Sequence, residues 1–236
     1  GRYMARSWAV VIGLLVAFAV LVLLNISLGS VQVPFSDVVR VLSSPEGTDT
    51  YSSIIWKIRL PRMFSGILLG GALALGGYLL QTFFNNPIAG PYVLGISSVA
   101  KLTVSMVMVF MLAAGVTVNS AMLITAAFVG ALISMGFVLL ISQKVSSASM
   151  LIVSGVMLGY ICSAITDFVV TFADDASIVN LHNWSRGSFS GADWEDIKVM
   201  AVVVLITSAV VFLLAKPIGA YLMGETYAQN MGVNIK

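Results

Sequence analysis

Six stretches of about 20 mostly apolar residues recur along the chain, and each is long enough to cross a membrane. A helix rises about 1.5 Å per residue, so about 20 residues span the roughly 30 Å hydrocarbon core of a bilayer. The predicted crossings are residues 8–28, 63–84, 93–114, 120–142, 150–172 and 197–215. With 59% hydrophobic and only 9% charged residues, the chain has too little polar surface to be solvated by water. We therefore predict an all-α, polytopic bundle of about six membrane helices with the lipid bilayer as its solvent.

Charges within or just before two of these runs complicate the prediction. Lys101 lies inside the third run, where a charge at a helix centre costs about 2.5–3.5 kcal/mol, although near the helix start its ammonium can reach the interface. The first run follows Arg2 and Arg6 and so mimics a secretory signal peptide. It is longer than the usual apolar core of about 7–15 residues and is not followed by an A-x-A cleavage site, so we expect a retained helix.

Several classes of function are excluded by what the sequence lacks. It contains no G-x-x-x-x-G-K-[ST] loop for ATP and no H-E-x-x-H or G-x-S-x-G motif, so we predict neither an enzyme nor a cofactor. His182 is the single histidine and has no partners at ligand spacing, which argues against a metal site. Cys162 is the single cysteine and excludes an intrachain disulfide. A net charge of +2, with scattered basic residues, gives no indication of nucleic-acid binding.

The segment WKIRLPR places two arginines at the start of the second crossing. Pro61 suits the first turn of a helix, and Arg59 and Arg62 flank it. Cations at a helix N-terminus oppose the helix dipole, so they are misplaced for stability and suggest that this site binds something acidic. Anchoring to lipid phosphates is the structural alternative.

Three motifs together resemble one family. RLPR is followed by NPIAGPYVLGIS at residues 86–97 and by MGETYAQNMG at residues 223–232. In this order and spacing they resemble the FecCD family of ABC-transporter permeases, which import iron–siderophores, haem and vitamin B12. The resemblance implies the membrane subunit of a type II ABC importer for such a chelate, with alternating access driven by a separate ATPase subunit. Half of an ion-coupled secondary transporter is the alternative.

The resemblance also implies an architecture. The family fold has about ten helices, so residues 1–236 are expected to form a single but partial permease domain that lacks the last four. The expected partners are the ATPase subunit, an extracytoplasmic substrate-binding protein, a second permease subunit in a homo- or heterodimer, and the lipid bilayer. The charges of the loops do not decide the orientation, and the resemblance places the N-terminus in the cytoplasm of a multi-pass cell-membrane protein.

Site residues carried over from the family fall into four groups. Docking to acidic residues of the binding protein is expected at Arg59 and Arg62. Residues 219–236 are expected to form the cytoplasmic coupling helices on the ATPase, with contacts from Leu222, Gly224, Glu225, Tyr227, Ala228, Met231 and Gly232. The cytoplasmic gate is expected at Ser146, Ser147 and Ser149, with capping of the fifth helix by these hydroxyls as the structural alternative. The loop 85–95 is expected near the ATPase, with a simple connector as the alternative.

Small residues at four-residue spacing mark two helices. Gly66 and Gly70 lie in the second crossing, and close packing against another helix is the expected role. Gly155, Gly159 and Ser163 lie in the fifth, where packing competes with the pathway-lining role that the resemblance implies. Asp167 follows on the same helix. Two interpretations of it are equally supported: a functional acid inside the membrane, or a solvated residue near the helix end.

Overall fold

The structure, a computed structural model, describes residues 1–90, 92, 94–145, 147–222 and 225–234. All regular elements in these ranges are helical. The first half contains α1 (Arg2–Ser27), α2 (Phe35–Ser43), α3 (Thr50–Ile54), a π-helical turn (Ile55–Arg59), α4 (Leu60–Phe84), α5 (Ile96–Met106) and a second π-helical turn (Val107–Met111). The second half contains α6 (Ser120–Ser142), α7 (Ala148–Val170), α8 (Asp175–Arg186), α9 (Trp194–Leu213), α10 (Ala215–Leu222) and α11 (Glu225–Asn230).

Five helices in the described residues are long and apolar enough to cross a membrane. They are Arg2–Ser27, Thr50–Phe84, Ala121–Ser142, Ala148–Val170 and Trp194–Leu213. The prediction of a polytopic helical membrane protein is confirmed, and five of the six expected crossings are present by length.

The third expected crossing, residues 93–114, is shorter than predicted. It consists of α5 and the π-helical turn after it, Ile96–Met111, which at about 1.5 Å per residue reach only about 24 Å. Glycines in left-handed conformation bound it, with Gly95 at φ 76° and Gly115 at φ 79°. One side of it is covered, since Val99, Val104 and Met108 are buried, whereas Phe110 and Met111 at its end are exposed. A helix packed inside protein does not need the full bilayer length.

The chain folds into two compact units, each built from two separate segments. The first comprises residues 1–72 and 189–208, and the second comprises residues 73–188 and 209–236. The core of the first unit is formed by Ile26, Val33, Val38, Val41, Ile55, Leu60 and Met63. In the second unit α5 packs against both α6 and α7. A separate apolar cluster joins Phe84, Ala89, Leu94 and Leu151.

Local sequence explains where several helices begin. The Asn119 side chain accepts a hydrogen bond from Met122 N and caps α6, and Asp174 caps α8 in the same way through Ser177 N. Pro61 has no N–H to donate to the ladder of α4. Directly before it the ladder widens to an i→i−5 bond, from Leu60 N to Ile55 O, which produces the first π-helical turn.

Candidate functional site

Arg59 is buried, although it was predicted to dock a partner. Its side chain is 8% exposed, Nη1 donates to the carbonyl of Ile26 at 2.6 Å, and Nη2 donates to the carbonyl of Val31. These bonds tie the end of α1 and the turn after it to the start of α4. We call Arg59 with these two carbonyls and Gly29 the arginine clamp.

Gly29 makes room for this guanidinium. A Cβ at position 29 would lie 2.7 Å from Arg59 Nη2, closer than real Cβ contacts come. The turn is closed by a bond from Val33 N to Ser27 O at 3.0 Å. A glycine is therefore required where the chain passes the buried cation.

Arg62 occupies a different environment one turn later. Its side chain is exposed, and Nη2 reaches the carbonyl of Ser190 at 3.5 Å. Of the two arginines predicted to dock a binding protein, the structure thus leaves Arg62 at the surface and uses Arg59 inside the fold. Docking itself stays a prediction.

Two tryptophans support the part of the first unit that contains Arg59 and Arg62. Trp56 Nε1 donates to Val41 O at 3.0 Å, and Trp194 Nε1 donates to Trp56 O at 2.7 Å. Phe64 packs on Trp194 with ring centroids 5.8 Å apart. These bonds connect α2, the first π-helical turn and the start of α9, so the surface around Arg62 rests on a rigid aromatic support.

An exposed ion-pair cluster lies at this end too. Arg40 Nη2 is 3.3 Å from Asp37 Oδ1 and 3.2 Å from Asp49 Oδ2. A hydrogen bond from the Ser52 side chain, and then the charge of Arg40, hold the pKa of the Asp49 carboxyl below its ordinary value. Because these groups are solvated, they contribute little to stability.

Gly155 and Gly159 of α7 lie against the start of α5. A Cβ on Gly155 would meet Leu94 Cα at 3.0 Å, and a Cβ on Gly159 would meet Gly95 Cα at 3.4 Å. In return, a Cβ on Gly95 would lie 2.5 Å from Gly155 O. We call this approach of residues 94–95 to residues 155–159 the glycine contact. Ser163, predicted with them, is exposed.

The other small-residue stripe has no such neighbour. A Cβ on Gly66 or Gly70 would meet no atom within 4 Å among the described residues. The close packing expected of these two glycines is therefore not found within this part of the chain.

The predicted gate segment lies between α6 and α7. Ser147 occupies the N-cap position of α7, but its side chain makes no cap hydrogen bond. Ser147 and Ser149 are both exposed. Ser146 lies outside the described residues.

The loop 85–95 folds against α4 and α7 and leaves two large side chains outside. Asn86 Oδ1 accepts from Ile88 N at 2.9 Å, and Leu94 is fully buried. Ile88 is 76% exposed and Tyr92 is 82% exposed. The described residues of this loop therefore include a turn held by Asn86 and two exposed apolar side chains.

The tail contains two short helices, and the first of them begins at Ala215, before the expected start of the segment at residue 219. α10 ends at Leu222, α11 begins at Glu225, and Gly232 follows α11 with a left-handed φ of 83°. On α11, Tyr227 is 45% exposed, and Met231 just beyond it is 64% exposed. Gly224 and the side chains of Leu222, Glu225 and Ala228 lie outside the described residues.

The sequence model of the FecCD transport family matches residues 15–236. The chain belongs to the FecCD transport family. This membership confirms the resemblance carried by RLPR, NPIAGPYVLGIS and MGETYAQNMG.

Curated relatives of this FecCD chain include bacterial permeases. The vitamin B12 import system permease protein BtuC of Klebsiella pneumoniae is 36% identical over 179 residues, which are 76% of this chain and 53% of that protein. The BtuC protein of Citrobacter koseri is 34% identical over the same shares. The chain spans about half the length of the curated relatives it matches.

A solved structure shows the same fold. It is an inward-facing conformation of a metal-chelate type ABC transporter, and it matches with a TM-score of 0.79 over 96% of this chain and 68% of that one, at 24% identity. The all-α, polytopic membrane fold predicted from the apolar runs is thus found in a protein of known structure.

Sequence reasoning missed the residues that support the two arginines. Gly29 and Trp194 both lie far from Arg59 and Arg62 in sequence. The available signal was Gly29 directly after a crossing, because glycine is common where a turn must pass close to another group.

Proposed function

We propose that this chain serves as the membrane-spanning permease of an ABC importer for an iron–siderophore, haem or cobalamin-type chelate. Alternating access would be driven by ATP hydrolysis on a separate subunit. The observation that carries the proposal is the FecCD family match over residues 15–236. That match does not favour the alternative of an ion-coupled secondary transporter.

The proposed orientation places the N-terminus in the cytoplasm of the cell membrane. The arginine clamp and Arg62 then face outward, and the loop 85–95, Ser147, Ser149 and the tail face the cytoplasm. Membrane-impermeant thiol labelling in intact cells tests this, because Cys162, the native cysteine, is buried. A cysteine at exposed Ser44 should react, and one at exposed Ser149 should not. The reverse pattern overturns the orientation.

Docking of an extracytoplasmic binding protein is proposed at the surface around Arg62. Arg62 would make the direct contact with a carboxylate, because its guanidinium is exposed and can pair with both carboxylate oxygens. Arg59 would contribute from inside by fixing the turn after α1.

Charge reversal tests docking. We expect Arg62→Glu to weaken the affinity of the binding protein by about 1.5–3 kcal/mol, measured at low salt with the full-length permease. Lys57→Glu is the matched control, since Lys57 is also exposed at this end. Equal effects of the two reversals would show general charge attraction and not a docking contact.

Coupling to an ATPase subunit is proposed for the tail helices and the tip of the loop 85–95. Support comes from the exposed apolar side chains of Ile88, Tyr92, Tyr227 and Met231, which suit insertion into a groove of a partner. Ala228→Glu in the full-length protein should release the ATPase or uncouple hydrolysis from transport. Normal co-purification and normal transport-coupled hydrolysis would contradict this assignment. A second permease subunit completes the proposed assembly.

A further inference from the structure

The short helix α2 lies between two membrane crossings and packs against both of them. Residues 28–34 connect it to α1, and residues 44–49 connect it to the crossing Thr50–Phe84. Val38 and Val41 of α2 are buried in the core of the first unit, together with Ile26 at the end of α1 and Met63 in the first turn of α4. The helix from Met63 to Phe84 is about 30 Å long, which is the thickness of the hydrocarbon core. The packing therefore places α2 at the boundary between membrane and water.

Two tryptophans mark the same level. Trp56 donates from Nε1 to the carbonyl of Val41 on α2, and Trp194 donates from Nε1 to the carbonyl of Trp56. Tryptophan prefers the membrane–water interface, where its ring lies among lipid chains and its N–H meets polar groups. Trp194 is also the first residue of the crossing Trp194–Leu213. α2 is thus hydrogen-bonded to the level at which three crossings meet the interface.

The exposed surface of α2 consists of two strips. The apolar strip contains three exposed large side chains, Phe35, Val39 and Leu42. The polar strip contains three exposed polar residues, Ser36, Arg40 and Ser43. At about 3.6 residues per turn, each strip covers about 60° of the helix surface, and the centres of the strips lie about 100° apart. The exposed part of α2 is therefore amphipathic in addition to its buried side.

The two strips need different surroundings. On the polar strip, Arg40 forms solvated ion pairs with Asp37 and Asp49, so this side faces water. On the apolar strip, Phe35 is 63% exposed, and its contact with water is unfavourable. Phe35 and Leu42 are about 10 Å apart along the helix, so only a helix lying along the membrane surface brings both into an apolar medium.

The surface next to the apolar strip favours lipid as that medium. The last turns of α1 expose Leu21, Leu23 and Leu24, which point to several sides of this crossing. Leu28 and Val31 in the turn that follows are exposed as well. Exposed apolar side chains therefore continue along the chain from a membrane crossing to α2. A protein that approached from the water would meet the polar strip instead.

We propose that α2 is an interfacial helix, with the apolar strip immersed about 5–10 Å deep in the adjoining lipid leaflet and the polar strip in water. The inference needs only the polytopic membrane fold and does not rest on the proposed transport function. The lipid contact also fixes the turn before α2, whose Val31 carbonyl accepts from Arg59 in the arginine clamp.

Spin-label accessibility tests the placement. In a Cys162→Ala background, single cysteines replace Phe35, Val39 or Leu42, with Ser36 and Ser43 as matched controls on the polar strip. The labelled full-length permease is placed in a phosphatidylcholine bilayer without any partner protein. Collisions are measured with oxygen, which concentrates in hydrocarbon, and with a water-soluble nickel chelate. We expect the oxygen-to-nickel ratio to be at least about fivefold higher on the apolar strip, because hydrocarbon excludes the polar chelate.

A charge on the apolar strip tests the cause of the immersion. With the spin label at Phe35→Cys, we expect Val39→Asp to lower the ratio at least about threefold, because a carboxylate does not enter hydrocarbon. Ser36→Asp adds the same charge to the polar strip and should leave the ratio unchanged.

Three results would overturn the proposal. Equal ratios on the two strips would show that both strips meet the same medium. Low collision rates with both reagents on the apolar strip would show that protein covers it, and spin–spin broadening would identify that protein as a second copy of the chain. A ratio at Phe35→Cys that Val39→Asp does not change would show that the apolar strip does not hold α2 in lipid.

Discussion

The arginine clamp and the glycine contact hold helices together by opposite means. At the clamp, the long side chain of Arg59 reaches across to the carbonyls of Ile26 and Val31. At the glycine contact, the absence of side chains on Gly95 and Gly155 lets two backbones touch. The first depends on a charged group with all its partners in place, and the second depends on empty space. Substitutions should therefore fail in different ways at the two places.

The largest effect is expected at the glycine contact. Gly95→Ala places a Cβ at 2.5 Å from a backbone oxygen and forces a left-handed residue other than glycine. Strain and overpacking together should lower the stability of the fold by about 4 kcal/mol. The melting temperature in detergent measures this. The control is Gly136→Ala on α6, where a Cβ meets nothing within 4 Å among the described residues. If both variants melt alike, the contact is not as tight as described.

The arginine clamp should come next. Arg59→Ala removes hydrogen bonds from a charged donor to two carbonyls, and we expect a loss of about 3 kcal/mol. Arg62→Ala, three residues away and exposed, should change stability by less than about 0.5 kcal/mol. Thermal unfolding of the two variants side by side gives the answer. Equal stability losses would mean that the two arginines do not have separate roles.

A smaller effect is expected at the aromatic support beside the clamp. Trp194→Phe keeps an aromatic ring but removes the hydrogen bond from Nε1 to Trp56 O. The stability should fall by about 1 kcal/mol, the usual value for a neutral hydrogen bond. Trp8→Phe on α1 is the matched control, because Trp8 is 64% exposed. A melting temperature unchanged in Trp194→Phe would show that packing alone holds this end.

The smallest effect is expected at the exposed ion pairs of the same end. The pKa of Asp49 is lowered, so its contribution to stability is present above the ordinary carboxyl pKa of about 3.8 and is lost as the pH falls through the lowered value. Melting temperatures of the wild type and Asp49→Asn should differ slightly at pH 7 and converge as the pH falls below the lowered pKa of Asp49. A difference that persists at acid pH would assign the effect to something other than the carboxylate.

Sequence patterns predicted the membrane helices well because their signal is local. The length of a membrane helix can be read directly from the length of its apolar run. Only the run containing Lys101 gave a shorter helix than expected. The short helices of the tail also have a local signal, since Gly232 follows the second of them in a left-handed conformation that glycine adopts readily.

The sequence gave no indication that Arg59 is buried while Arg62 is exposed. Both flank Pro61, and only the fold shows that the turn at Gly29 closes over one of them. In the same way, spacing pointed to Gly155 and Gly159 as packing residues, but it gave no indication that the start of α5 is their neighbour. The spacing of Gly66 and Gly70 is identical, and no packing neighbour lies beside them in the described residues. Long-range contacts of this kind have no local signature.

The clamp also decides which positions along the chain can tolerate mutation. Both acceptors of Arg59 are main-chain oxygens, and every amino acid carries one. Val31 is 42% exposed, so nearly any side chain can replace it without removing its half of the clamp. Arg59 and Gly29 have no such freedom, because one supplies the donors and the other the space. A survey of single substitutions should therefore find that Arg59 and Gly29 tolerate almost no replacement, whereas Val31 tolerates most. The side chain of Val31 gives no sign of this role, because only its main-chain oxygen takes part.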